Sequence, residues 1–294
     1  SNMAYLGLHA LQHRGQESSG IVSSDRRDLY SHREMGLVAD IFDLDTLKKL
    51  PGDVAIGHNR YSTSGESNFK NAQPFVVETG FGSLAVAHNG NLVNALEVRH
   101  ELEREGAIFQ STMDTEVIVH LMARAEGGDL PDRLVTALKR VKGAYSLLLL
   151  SADLLVAARD PNGFRPLVLG RLDGAPVFAS ESCALDLIGA TFEREIDPGE
   201  VVVVTEEGLT SYHPFKEEPH SHCVFELIYF SRPDSLIFGR DVHDVRKRLG
   251  RQLAKESRVD ADVVVPVPDS GVPAAIGYAE ASGLPFETGL IRNH

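Results

Sequence analysis

The stretch between residues 143 and 213 leaves this chain few folds to choose from. It consists of short apolar segments that pair off: "AYSLLLLS" with "LLVAARD", "PLVLGRL" with "APVFASE", and "EVVVVTEEGLTSYH" folded about its own centre. Asp173-Gly174 and Glu207-Gly208 sit between partners. A dipeptide ending in glycine between apolar runs signals a hairpin, because glycine reaches the turn conformations that a Cβ penalises. Upstream, "DVAIGHNRYS" and "SLAVAHNGN" each run as an apolar strand into a polar tip. Three helices are expected among these strands. "NLVNALEVRHELEREG" places Leu92, Ala95, Leu96 and His100 on one stripe before a glycine stop. "STMDTEVIVHLMARAEGG" offers Ser111 or Thr112 as cap, with Asp114 and Glu116 in its first turn. "PDRLVTALKRVKG" has Pro131 near its start and Gly143 after its end.

The character changes after the polar loop "HPFKEEPHSH". A long amphipathic helix, "DVHDVRKRLGRQLAKES", precedes the unbroken apolar run "DVVVPVP", the turn "DSG", a helix "VPAAIGYAEASG" and a strand "PFETGL". Strand, helix, strand with a continuous apolar first strand predicts a parallel sheet buried on both faces. A helix that starts just after a Ser-Gly turn at a strand's end is where such sheets bind phosphates. Two strands alone would leave an open edge and a bare apolar face, so this second region reads as cut short. The expected division is residues 1–220 and 221–294.

Composition removes several classes of function. The formal net charge of −13 argues against broad nucleic-acid or acidic-membrane binding, which needs clustered Lys and Arg. The longest apolar run, residues 144–150, is of strand length and far short of the roughly 20 residues that cross a bilayer. No signal peptide opens the chain, and Ser1-Asn2-Met3 reads as a tag remnant. Two cysteines, Cys183 and Cys223, make no disulfide framework, and a reducing cytoplasmic home fits them best.

Four polar segments carry candidate chemistry: "QHRGQES", "HNRYST", "HNGN" and "TMDTE". Asn89-Gly90 sets an amide side chain next to a backbone N–H that no side chain shields, a combination suited to an oxyanion hole. Arg60 offers a planar fork for a carboxylate, and Asp114 could hold a cationic amine. Together those two charges are what a free amino acid requires. Each feature alone has an ordinary reading: Asn-Gly is mostly a turn, such an Asp a cap, a lone Arg a surface ion pair. His58 and His88 serve structure as readily as chemistry.

In combination they are specific. "LQHRGQESSGI", "GHNRYSTSG", "AQPF", "LAVAHNGNLVN", "TMDTE", "KGAYSLLLL", "RDPNGFRPLVLG" and "ASESCALD" occur in order, and the chain resembles the glutamine phosphoribosylpyrophosphate amidotransferase family over nearly all of its length. The later segments "YFSRPDS" and "VVVPVPDSGVPAAIGYAEASGLPFETGLIRN" are similar to the start of that family's type I phosphoribosyltransferase domain. Other glutaminases share the Asn-Gly and Arg elements but lack this continuation.

The resemblance implies an α+β class: a four-layer αββα N-terminal-nucleophile glutaminase fold, then the beginning of an α/β phosphoribosyltransferase domain. It assigns Arg60 to the glutamine α-carboxylate, Asp114 to the α-amino group, Thr63 to a place nearby, and the Asn89 side chain and Gly90 N–H to the oxyanion hole. Arg14 and Tyr61 belong to segments that close over glutamine. Ammonia then reacts with Mg2+-bound phosphoribosyl pyrophosphate to give 5-phosphoribosylamine, pyrophosphate and glutamate, the first committed step of purine synthesis. Ser270 matches a position at the pyrophosphate–Mg2+ site. Members that carry a [4Fe–4S] cluster have one ligand just before "YFSRPDS", where Cys223 stands. The resemblance also implies a homo-oligomer, a tetramer in the intact enzyme.

Two departures qualify it. The family's nucleophile is a cysteine that becomes residue one, with its own α-amine as base, and no such residue precedes "AYLGLHALQHRG". The acidic pair and small-residue loop that bind the 5-phosphate are also absent. The sequence therefore predicts that this polypeptide releases no glutamate from glutamine and transfers no ammonia. Two other readings stay open: a glutamine-sensing or partner-binding module without a nucleophile, and a hydrolase that uses Ser1, Ser18 or Cys183 instead.

Overall fold

The computed structural model describes residues 1–61 and 67–292; Thr63, named above, lies outside them. The chain divides into two compact units. The first comprises Ser1–Ser180 with Ala184–His222, and the second Glu181–Cys183 with Cys223–His294.

In chain order the first unit contains α1 (Asn2–Ala10), β1 (Ser18–Ser24), β2 (Leu29–Met35), α2 (Val38–Ile41), α3 (Leu44–Lys48) and β3 (Val54–Arg60). There follow β4 (Phe75–Thr79), β5 (Gly82–Leu92), α4 (Ala95–Arg104), α5 (Glu116–Arg124), α6 (Leu130–Leu138), β6 (Gly143–Leu150) and β7 (Leu155–Arg159). β8 (Val168–Leu172), β9 (Ala175–Ala179), α7 (Ser182–Ile188, in this unit from Ala184 onward), β10 (Thr191–Glu195), β11 (Val201–Thr205) and β12 (Gly208–Tyr212) complete the run. The hairpin signals hold: β6 pairs with β7, β8 with β9 and β11 with β12, all antiparallel.

A six-stranded sheet, β12-β11-β7-β6-β5-β4, forms the centre. Strand alternation sends Val86, Leu147 and Leu149 to one face, where they pack with Val98 and Leu102 of α4, Ile118 and Met122 of α5 and Leu134 of α6. The intervening residues Ala85, Ala87 and Leu150 meet Val22 and Ile56 of a three-stranded sheet, β2-β1-β3. On that same side Ala157 and Val202 pack with Leu169 of the sheet β10-β8-β9. The far side of the three-stranded sheet is covered by α1 and α2, through Leu8, Val38 and Ile41 against Ile21. Helix, sheet, sheet, helix is the expected four-layer order. It arises because a period-two apolar pattern on both faces of the central strands needs a partner on each side.

The expected α4 stripe is wrong in part. Leu92 belongs to β5, and Leu96 and His100 are exposed. The helix begins only at Ala95, which rotates the buried face onto Val98 and Leu102. α5 likewise starts at Glu116, so Asp114 precedes the helix rather than lying in its first turn. α6 follows its signals, with Asp129 capping the Asp132 N–H and Pro131 in the first turn.

The second unit holds a π-helical turn (Glu226–Phe230), a two-residue hairpin of β13 (Leu236–Ile237) with β14 (Arg240–Asp241), α8 (Val242–Glu256) and α9 (Val272–Ser282). The buried Arg246 of α8 donates to the Leu227 and Ser231 carbonyls at 3.0 and 2.7 Å, fixing the turn to the helix. The expected buried strands are not formed among the described residues. "DVVVPVP" and "PFETGL" meet only in one parallel bridge, Val264 to Phe286, and Val263, Val265 and Val267 are exposed. Among the described residues no helix or laddered strand of this unit covers them.

α8 and α9 approach closely enough to demand glycine. A Cβ on Gly250 would lie 1.8 Å from the Ala274 oxygen, and one on Gly277 would lie 2.0 Å from the Lys247 oxygen. Both obstacles are backbone, so the helices must separate. Gly250→Ala is expected to lower the stability of this unit by about 2 kcal/mol, read as an earlier urea transition of its residues. No helix of the described residues is long and apolar enough to cross a membrane.

Candidate active site

The polar segments of the first unit converge where the ends of β1, β3 and β5 meet. A short 3-10 turn, Gln12–Arg14, carries the chain from α1 into β1. Gln12 pins this turn by donating to the Gly15 carbonyl at 2.6 Å and accepting the Val38 N–H at 2.7 Å. Gly15 lies against the end of β3, where a Cβ would come within 2.4 Å of the Arg60 carbonyl carbon. The Glu17 N–H then donates to the Arg60 carbonyl at 3.2 Å. Arg14 is buried in this turn.

Arg60 is the last residue of β3 and only 3 % exposed. Its Nη1 meets Glu17 Oε2 at 2.8 Å. Burial lowers the pKa of the guanidinium from its ordinary value, and the Glu17 and Asp114 carboxylates oppose that shift. Asp114 is thus close enough for its charge to bear on Arg60. Tyr61, next along, is exposed.

Asn89 and Gly90 lie within β5 rather than at a strand tip, opposite Ser146 and Tyr145 of β6. The Asn89 side chain is loosely engaged, its Nδ2 lying 3.5 Å from Ser180 Oγ. Gly90 is required sterically, since a Cβ there would fall 2.0 Å from the Ala144 oxygen and 2.7 Å from His88 Nε2. Asp114 fixes itself to this strand: its Oδ2 accepts the Leu92 N–H at 2.8 Å, and its Oδ1 lies 3.8 Å from His88 Nδ1.

Sequence reasoning did not assign Glu17, His88, Thr115 or Gln73. His88 is buried, with Nδ1 2.9 Å from Thr115 Oγ1 and Nε2 3.2 Å from the Ala144 carbonyl, while its own N–H donates to Gln73 Oε1 at 2.8 Å. His58 Nε2 donates in turn to the His88 carbonyl at 3.0 Å. A histidine directly before Asn-Gly was the available signal, but it does not reveal a partner 27 residues away. Ser18 and Ser19 open β1: Ser19 Oγ donates to Asn59 Oδ1 at 2.9 Å, and Ser18 is buried. The Ser1 hydroxyl is 3.4 Å from the Leu47 carbonyl.

In the second unit, Ser270 is exposed in the turn before α9. Its hydroxyl suits a diphosphate oxygen, the Val272 N–H of the helix start donates to the Asp269 carbonyl at 3.2 Å, and the Asp269 carboxylate, 3.2 Å from Arg292, suits a hard cation. Those residues fit a Mg2+–diphosphate ligand. Cys223 is half-buried. Cys183 is buried 3.7 Å from Glu181 Oε2, and burial pushes its thiol up to about 12. A [4Fe–4S] cluster takes four thiolates as a rule, and these two residues do not make that set. Among the described residues Asp197, Glu200 and His213 also gather closely. Arg194 already occupies both Glu200 oxygens, at 2.8 and 2.6 Å, so this group is an ion-pair network.

The profile of the glutamine amidotransferase domain matches residues 58–187, which include Arg60, Asn89-Gly90 and Asp114. The amidophosphoribosyltransferase of Rhizobium etli is 53% identical over 98% of this chain and 60% of its own length. Its Bacillus subtilis counterpart is 49% identical over 99% of this chain and 61% of its own. The chloroplastic amidophosphoribosyltransferase 2 of Arabidopsis thaliana is 53% identical, with 53% of its length matched. The solved glutamine phosphoribosylpyrophosphate amidotransferase from B. subtilis, complexed with ADP and GMP, superposes with a TM-score of 0.95 at 48% identity, over 99% of this chain and 64% of that one. The chain thus spans somewhat more than half the length of these relatives. By sequence over nearly its whole extent, and by the class II glutaminase fold it shares with them, it belongs to the amidophosphoribosyltransferase family.

Proposed function

We propose that the first unit is a glutamine site in which Arg60 takes the α-carboxylate, Asp114 the α-ammonium, and the Asn89 side chain with the Gly90 N–H the side-chain carbonyl. The observation that carries this reading is the meeting of a buried arginine and a buried aspartate beside Asn89-Gly90. Opposite charges held apart, Arg60 at the end of β3 and Asp114 in the segment before α5, match the two ends of an amino acid, and the neutral donors lie where its amide falls. Glu17 fills the Arg60 fork when no ligand does, and an incoming carboxylate takes its place or shares the guanidinium. Arg14 and Tyr61 flank the entrance, and Thr63 follows in the same segment. As a nucleophile adds to the amide carbon, negative charge grows on the oxygen that Asn89 and Gly90 face, so their donation strengthens in the transition state.

In the whole protein, this site supplies ammonia to phosphoribosyl pyrophosphate, giving 5-phosphoribosylamine in purine synthesis. Ser270 and the α9 amino terminus hold the diphosphate, and Mg2+ supplies charge neutralisation when bound. Two free cysteines suit a reducing compartment such as the cytoplasm.

Calorimetric titration with L-glutamine tests the site. Arg60→Leu and Asp114→Asn should each weaken binding by about 10- to 100-fold, the span expected for a charged hydrogen bond. Binding unchanged in both variants would remove these residues from the site.

A further inference from the structure

We infer that His58 is a positioning residue for the Asn89-Gly90 pair, acting as a neutral clamp between the two sheets. This inference rests on the glutamine-site reading above for its functional meaning, and on geometry for its existence. His58 lies two residues before Arg60 on β3, in the three-stranded sheet, and its Nε2 reaches the carbonyl of His88 on β5, in the six-stranded sheet, at 3.0 Å. A carbonyl only accepts, so Nε2 carries the proton. Nδ1 is then a bare lone pair, buried and without a partner. The neighbouring groups whose charge bears on this ring are His88, Arg60 and Arg14, and each disfavours a second proton on it. No acceptor awaits a second proton there, and two guanidiniums repel one.

The His88 carbonyl is the peptide unit whose nitrogen belongs to Asn89. Holding that oxygen therefore sets the plane of the peptide from which the Asn89 side chain departs and on which the Gly90 N–H follows. On the other side, His88 Nε2 donates to the Ala144 carbonyl and the Asp114 carboxylate accepts the Leu92 N–H. β5 is thus gripped before and after the pair, and His58 grips it from the sheet that carries Arg60. It couples the carboxylate-binding strand to the amide-binding strand while touching neither end of the ligand.

The test compares His58→Gln, whose Nε2 can still donate to the carbonyl, with His58→Leu, which cannot. In His58→Leu, amide exchange at Asn89 and Gly90 is expected to rise about tenfold relative to Leu147 and Leu149 of the same sheet, while His58→Gln stays near wild type. L-glutamine should bind about tenfold more weakly to His58→Leu and near normally to His58→Gln, whereas L-norvaline, which keeps the α groups and lacks the amide, binds all three alike. A uniform rise in exchange across β5 and β6, or equal behaviour of the two variants, overturns the clamp. A wild-type chain that binds no glutamine overturns the glutamine reading alone, because the exchange comparison still decides the clamp.

Discussion

Gly90→Ala should unfold the region around the candidate site rather than merely weaken it. The added carbon would stand 2.0 Å from the Ala144 oxygen, 2.7 Å from the Ala144 carbonyl carbon and 2.7 Å from His88 Nε2. None of these can swing aside. The Ala144 atoms belong to the β6 backbone, and His88 is held at both ring nitrogens. Relief requires β5 to lift from β6, which breaks the ladder at the middle of the six-stranded sheet and opens the core behind Tyr145. Overpacking a site that can relax costs about 1–3 kcal/mol, and this site has less freedom than most, so a loss of about 3 kcal/mol or more is expected from urea unfolding. Glutamine affinity should fall at least as far as in Arg60→Leu. Gly7→Ala is the natural control: a Cβ there meets nothing within 4 Å, and alanine favours the α1 helix. Equal transition midpoints for Gly90→Ala and Gly7→Ala would contradict the packing described for β5.

Acidification should cost the first unit about 3 kcal/mol between pH 6.5 and 4, through His58. Burial is the main cause that holds its imidazole down to about 4, against an ordinary 6.5, with the hydrogen bond to the His88 carbonyl opposing that shift. The folded pKa is depressed, so the unfolded chain binds the proton first as pH falls. Stability is then fully present above about 6.5 and is lost as pH drops toward 4, where the folded protein finally accepts the proton too. A gap of about 2.5 pH units at 1.36 kcal/mol each gives the magnitude. Urea titrations at half-unit steps of pH read it directly, and His58→Gln should flatten that part of the curve. A variant curve as steep as wild type would assign the acid loss to other groups.

The strands of the first unit were legible because their pattern is doubly determined. Apolar runs of strand length separated by Asp-Gly and Glu-Gly can pair in few ways, and β6 to β9, β11 and β12 follow them. The α4 stripe failed because one residue of uncertainty about where β5 stops turns a helix by about 100 degrees. Leu92 looks like the first member of a helical face and is the last residue of a strand. In the second unit, "DVVVPVP" has the composition of an interior strand, but composition states only what a segment tolerates, and burial needs neighbours that the unit does not place on Val263, Val265 or Val267.

The candidate site divides along a similar line. Arg60, Asn89-Gly90 and Asp114 could be named because their chemistry suits an amino acid on sight. Glu17, His88, Thr115 and His58 could not, since their importance lies in which carbonyl or carboxylate each one reaches. Those partners sit 15 to 56 residues away along the chain.

A crystal structure of the chain soaked with L-glutamine tests the central claim most directly. The account predicts the α-carboxylate on Arg60 with Glu17 shifted from its present 2.8 Å contact, the ammonium on Asp114, and the side-chain oxygen facing the Asn89 amide and the Gly90 N–H. Glutamine bound away from β3 and β5, or bound there with its ends reversed, would contradict it.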